Sequence, residues 1–195
     1  QPMKKTVTGI YLLFTTIIFS QNDIVWDGKY QLEVSDFQSS ATQIGGVNVA
    51  SLHTSLGVDF SFYMSNFEFM VTKNFNAKVN NTFKREAASL VAPDENSAKD
   101  LVDYARFQFD LTELYARKFR KKIFEEKGAF SNITFFRPIY ETIQKELTER
   151  DTNAGKETDL GRKKEKLQVL HEQVLKEILD LADFCKECKP AKKKK

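Results

Sequence analysis

The stretch "DYARFQFDLTELYARKFRKK", residues 103 to 122, decides the fold. Leu101, Tyr104, Ala105, Gln108, Thr112, Tyr115 and Phe119 fall on one stripe when counted by threes and fours, and Phe107, Leu111, Leu114 and Phe124 occupy neighbouring positions. That spacing is helical. Upstream, "PDEN" at 93 to 96 breaks the preceding pattern, and Ser97-x-x-Asp100 reads as a capping box. Downstream, Gly128 is a natural residue for the position after a helix end. The sequence therefore predicts one long helix over 97–127, wetted on one side and packed on a sheet by the other. Arg117, Lys118, Arg120, Lys121 and Lys122 near its end read as complements to the negative pole of the helix dipole.

Working outward, residues 24 to 84 have strand character. In "FSFYMSNFEFMV", Phe60, Phe62 and Met64 alternate, then Phe67, Phe69 and Val71 do so in a frame shifted at Ser65 and Asn66. "NFNAKVNNTF" alternates Phe75, Ala77, Val79 and Phe83. Two adjacent half-buried strands are the simplest account. Gly45 and Gly46 mark a turn before an earlier strand over about 47–53. Trp26 and Phe37 are expected core residues, and the lone His53 reads as a surface or satisfied core residue rather than a ligand. Beyond the long helix, a further helix is expected over about 138–150, then a polar loop, "RDTNAGKETDLG", at 150 to 161. A last helix runs over about 162–184, with Leu167, Leu170, Val174, Ile178 and Leu181 on one face.

Two lysines followed by an almost unbroken apolar run from Val7 to Phe19 have the layout of a secretory signal peptide, with cleavage expected near Ser20 or Gln21. The run is shorter than the ~20 residues a bilayer span needs, though an uncleaved anchor is the alternative. The expected organisation is a signal segment at 1–21 with Gln1 and Pro2 preceding Met3, a single α+β domain at 22–187, and a basic, disordered tail at 188–195. The expected location is therefore the periplasm or outside the cell, with no stable span after cleavage. Without Lys4, Lys5 and Lys192 to Lys195, 24 basic residues face 27 acidic ones, so nothing suggests a nucleic-acid footprint. Cys185 and Cys188 form a Cys-x-x-Cys pair, which in an exported chain reads as a local disulfide. A zinc knuckle would need four ligands, and only His171 is near.

The central helix resembles that of a bacterial family of predicted secreted zinc-dependent proteases, known only as a domain of unknown function, in which a His-Glu-x-x-His helix continues into a charged, aromatic segment. Here "FQFDLTELYARKFRK", residues 107 to 121, is similar to that continuation. "KETDLGRKKEKLQVL" at 156 to 170, the early Trp26, and Asp36 with Phe37 resemble other family positions more weakly. The resemblance implies that Tyr104 and Gln108 stand where two zinc histidines would be, Ala105 where the general base would be, and Leu160 where a third ligand would fall. Catalytic zinc needs about three donors from His, carboxylate or thiolate. Without the metal, bound water keeps its high pKa, and without a carboxylate at 105 nothing on this helix takes its proton. The resemblance thus implies a degenerate member with no metal and no cofactor.

Other chemistry finds less support. His53 and His171 lie in no nucleophile-elbow context, no glycine-rich phosphate loop is present, and Glu125 with Glu126 reads as solvated surface. The expectation is an exported, non-catalytic α+β protein that binds a protein or peptide partner in the cell envelope, with Tyr104, Gln108 and Tyr115 lining a possible groove. An active hydrolase with a relocated site and a purely structural envelope component are the competitors.

Overall fold

The computed structural model describes residues 23–191, so the signal-peptide segment and Lys192 to Lys195 lie outside the described residues. The elements, in chain order, are β1 (Asp23–Val25), β2 (Gln43–Ile44), β3 (Ser51–His53), β4 (Leu56–Phe60), α1 (Asn66–Val71), β5 (Val79–Lys84), β6 (Ser89–Ala92), α2 (Glu95–Glu126), α3 (Phe136–Thr158) and α4 (Lys164–Asp180). The fold class is α+β, but the strands form two sheets rather than one. In the first, β5 lies between β1 and β4, antiparallel to both, with Ile24 opposite Phe83 and Val58 opposite Asn81. In the second, β6 pairs antiparallel with β3 and parallel with the two-residue β2. A tight turn at 85–87, closed by Ala88 N–H bonding the Lys84 carbonyl, carries the chain from one sheet to the other.

The second of the two predicted strands at 60–71 is a helix. Ser65 caps α1 by accepting from the Glu68 N–H, which starts a turn where alternation alone suggests a strand. Only Phe69 of that segment is buried, against Phe62, Phe75 and Phe135, while Phe67 and Val71 face outward.

α2 starts two residues earlier than its spacing suggests. Asp94, not Ser97, is the cap, and its carboxylate accepts from the Ser97 N–H at 2.8 Å. The larger correction is coverage. Both sheets, α3 and α4 pack on α2, and no residue from Leu101 to Lys121 is exposed. It is the axle of the molecule, not a half-wetted face. One core cluster, including Phe107, Leu111, Leu114 and Phe119, joins it to the first sheet, α3 and α4. A second, including Leu101, Val102, Ala105 and Phe109, joins it to Ile24, Leu32, Phe37 and the second sheet. Trp26 is half-buried where the clusters meet.

The predicted polar loop at 150 to 161 is helical as far as Thr158. Ala154 and Thr158 are buried, and Gly155 provides clearance, since a Cβ there would stand 3.0 Å from the Tyr104 hydroxyl. A glycine that reads as a loop signal is a close-approach position inside a helix. The chain then reverses through Asp159, Leu160 and Gly161, all with positive φ. At Gly161 a side chain would collide with the Asp100 carbonyl, so this position requires glycine. The final helix agrees with its spacing: Leu167, Val174 and Ile178 are buried, with Leu170 and Leu181 half-buried beside them. Among the described residues, no helix is long and apolar enough to cross a membrane.

Candidate functional site

The fold brings three of the four family-implied positions together. Tyr104 and Gln108 stand one turn apart on α2 and face α3. Leu160 lies in the reversal beside them, within van der Waals reach of the space over Gly155 that the Tyr104 hydroxyl also borders. Ala105 points elsewhere, into the second core cluster, fully buried. Asp151 of α3 fills the space that Tyr104 and Gln108 face. The Tyr104 hydroxyl donates to the Asp151 carbonyl oxygen at 2.8 Å and to its Oδ1 at 2.9 Å. The Gln108 amide donates to both carboxylate oxygens at 3.0 Å. Burial pushes the Tyr104 phenol far above its ordinary range, and the neighbouring Asp151 charge adds to that. Burial likewise raises the Asp151 carboxyl, opposed by the hydrogen bonds from Tyr104 and Gln108.

This donor set does not fit zinc. Asp151 is the one anionic group in it, and both residues on α2 present hydrogen-bond donors to that carboxylate rather than lone pairs to a cation. Among the described residues, no three His, Cys, Asp or Glu side chains converge in a way that could hold a metal ion. Tyr104 is also too buried to line a groove, and Gln108 is held inward by Asp151. Tyr115, itself buried, borders a cleft of about 330 Å³ between α2, α3 and α4, which it shares with Phe107, Arg150 and Leu170.

The segment "ELYARKFR", residues 113 to 120, acts as a clamp. Glu113 is buried, and its Oε1 accepts from Arg117 Nε at 3.0 Å and from Arg120 Nη1 at 2.8 Å. Arg117 continues to the Ile178 carbonyl at the end of α4, and Arg120 to the Val79 carbonyl of β5 and the Phe184 carbonyl. Two of the five basic residues are therefore core struts, not complements to a helix dipole. Lys118 lies over the Tyr115 ring and pairs with Glu177, which also holds Arg150 through two hydrogen bonds. The last turn of the helix carries Glu125 and Glu126 and none of these five basic residues, and Lys127 follows as its C-cap.

A second polar centre opens to solvent. Asp110 accepts from the Trp26 indole at 2.7 Å through Oδ1, and its Oδ2 is 2.6 Å from His171 Nε2 on α4. Both groups border a cleft of about 510 Å³ walled by Trp26, Leu32, Phe109, Leu175 and Leu179. A neighbouring cleft of about 340 Å³ shares His171, Arg106, Gln31 and Leu175. Arg106 is held by the Leu32 carbonyl and by Asp103. Residue spacing alone does not find this centre. The available signal is the presence of Asp110 and Glu113 in a helix whose other positions fill with apolar side chains, since a carboxylate in such a run needs a specific partner. Asp151 has no such signal, because it lies in a run of turn-forming residues.

Cys185 and Cys188 are joined in a disulfide. The knuckle they close is fixed to the rest of the molecule by Asn74 and Asn76, whose side-chain amides donate to the Cys188 carbonyl. No known protein family, no curated protein and no solved structure matches this chain.

Proposed function

We propose that the protein is an exported, non-catalytic relative of zinc-dependent proteases that binds a protein or peptide partner through the cleft between α2, α4 and the segment after β1. The observation that carries this reading is the internal hydrogen-bond set at Tyr104, Gln108 and Asp151, which occupies the positions that the resemblance assigns to a metal. A hydrolytic site keeps an open coordination position, whereas this one is closed by its own side chains. The cleft at Asp110 and His171 has the mixed character of a peptide groove: an apolar wall with a few fixed polar groups. Leu175 and Leu179 are exposed on its rim.

Elemental analysis after dialysis against a mild chelator, run beside a peptidase assay, tests the non-catalytic half. No stoichiometric zinc and no cleavage are expected. About one zinc per chain, or cleavage abolished by Gln108→Ala, overturns it. Panning a peptide library on the full chain tests the binding half, with loss of binding expected for Leu179→Asp. A second reading rests on the 2.6 Å His171–Asp110 contact, which is the orientation of a general base. Hydrolysis that His171→Ala removes and Gln108→Ala leaves intact would favour it.

A further inference from the structure

The largest concentration of exposed apolar side chains among the described residues lies where α2 ends, about 24 Å along that helix from Asp110. Tyr63 is 100% exposed, Phe130 96% and Phe67 69%, and Met70, Val71 and Ile133 are exposed with them. Phe67, Met70 and Val71 are spaced by three and four, so they share the outer face of α1, while Phe69 points into the core. Lys127 joins α1 to the segment that carries Phe130 and Ile133. Its ammonium lies 4.5 Å from the centre of the Phe69 ring and donates to the Met70 and Gly128 carbonyls. Lys127 is buried there, so the two apolar segments are fixed to each other.

Charge at this end is balanced. On α1, Glu68 stands in the first turn and Lys73 two residues past the last helical residue, both exposed. At the end of α2, Lys122 pairs with Glu126, and the exposed Glu125 is offset by the exposed Arg137 at the start of α3. The knuckle at Cys185 and Cys188 adds Asp183 and Glu187 against Lys186 and Lys189. A partner surface of one sign therefore gains nothing here. A second copy of the chain does, because Glu68 and Lys73 bracket one apolar face at its two ends. A two-fold axis passing between Met70 and Val71 lays α1 antiparallel on its copy, presses the two apolar faces together and sets each Glu68 over the partner's Lys73.

We infer that this end is an isologous interface through which two copies of the chain pair. The area fits that use. An aromatic side chain covers roughly 150–250 Å², so Tyr63, Phe67 and Phe130 at their exposures present roughly 400–600 Å². Met70, Val71 and Ile133 bring the face close to the ~800 Å² that each partner contributes to a stable interface. Monomeric proteins seldom leave so large an apolar patch in water. The paired face is apolar at its centre and charged at its rim, and symmetry makes every cross-axis ion pair occur twice. The inference is independent of what the cleft binds.

Because the apolar run from Val7 to Phe19 can itself associate, the test reads position rather than mass alone. The full chain carries Val71→Cys, beside the axis, or Asn96→Cys, about 45 Å away along α2, and a short bis-maleimide links thiols of two copies. Linked dimer is expected at 71 and not at 96. In the Val71→Cys chain, Glu68→Lys sets like charges across the axis and should weaken the pairing, read from the concentration dependence of linking, by on the order of 10-fold. Lys73→Glu should do the same. The two substitutions together should restore pairing, since each copy then offers the reversed pair. Phe67→Asp should abolish it. All three side chains are exposed, so the fold is spared, which unchanged circular dichroism checks. No link at 71, equal links at both positions, single charge changes without effect, or a double exchange that fails to restore pairing overturns the proposal. A link at 71 formed only with another protein of the envelope, or a thiol at 71 that lipid vesicles shield while no linked dimer forms, makes the occupant something else and also overturns it.

Discussion

At Asp151, two helices exchange a hydrogen-bond set around a carboxylate that burial holds above its ordinary pKa. A group of this kind favours folding in its protonated form. Its contribution is complete below the unfolded value of about 4 and is lost as pH rises through the folded value. The amide in Asp151→Asn keeps an acceptor for Tyr104 and can donate to Gln108 Oε1, which is buried without a partner. Asp151→Asn is therefore expected to raise the melting temperature by a few degrees at pH 7 and to change it little near pH 3. Melting curves across that range check it, and an equal effect at both ends would be evidence against a buried, protonation-sensitive carboxyl. Nothing in "RDTNAG" announces such a role, because aspartate, asparagine and glycine in sequence favour turns. Burial against Tyr104, a contact 47 residues distant, overrides that local preference.

The character of α2 as an element was legible: its length, its helical period and its aromatic content all appear in residues 97 to 127. Its coverage was not, because a helix buried on every side still shows charged residues when those residues are paired with one another. The Glu113, Arg117 and Arg120 set is such a case. Removing Glu113 would leave two guanidinium groups buried without their carboxylate. Glu113→Ala is expected to cost about 3–5 kcal/mol in urea unfolding, against about 1 kcal/mol for the helix cap in Asp94→Ala. Comparable costs for the two would show that the clamp is solvated. The strand-to-helix misreading of α1 has a different cause. A six-residue segment has too few positions to separate a period of 2 from one of 3.6, and the cap at Ser65 decides it.

Across the whole molecule, distant segments meet at a few joints. The disulfide closes a very short loop, so it removes little entropy from the unfolded chain, and reduction is expected to cost roughly 2 kcal/mol. Its larger effect should be local. On reduction, amide exchange should quicken at 183–189 and at Asn74 to Asn76, which bond the knuckle, while α2 stays protected. Exchange that accelerates evenly over the chain would contradict this. The Trp26 joint has another consequence. This is the only tryptophan in the sequence, its indole N–H is tied to Asp110, and Asp110 in turn meets His171. The first strand's neighbour thus reaches its final surroundings only once a helix some 145 residues later has docked. The native indole environment therefore cannot be complete before α4 has docked, so its fluorescence reports that long-range closure during refolding.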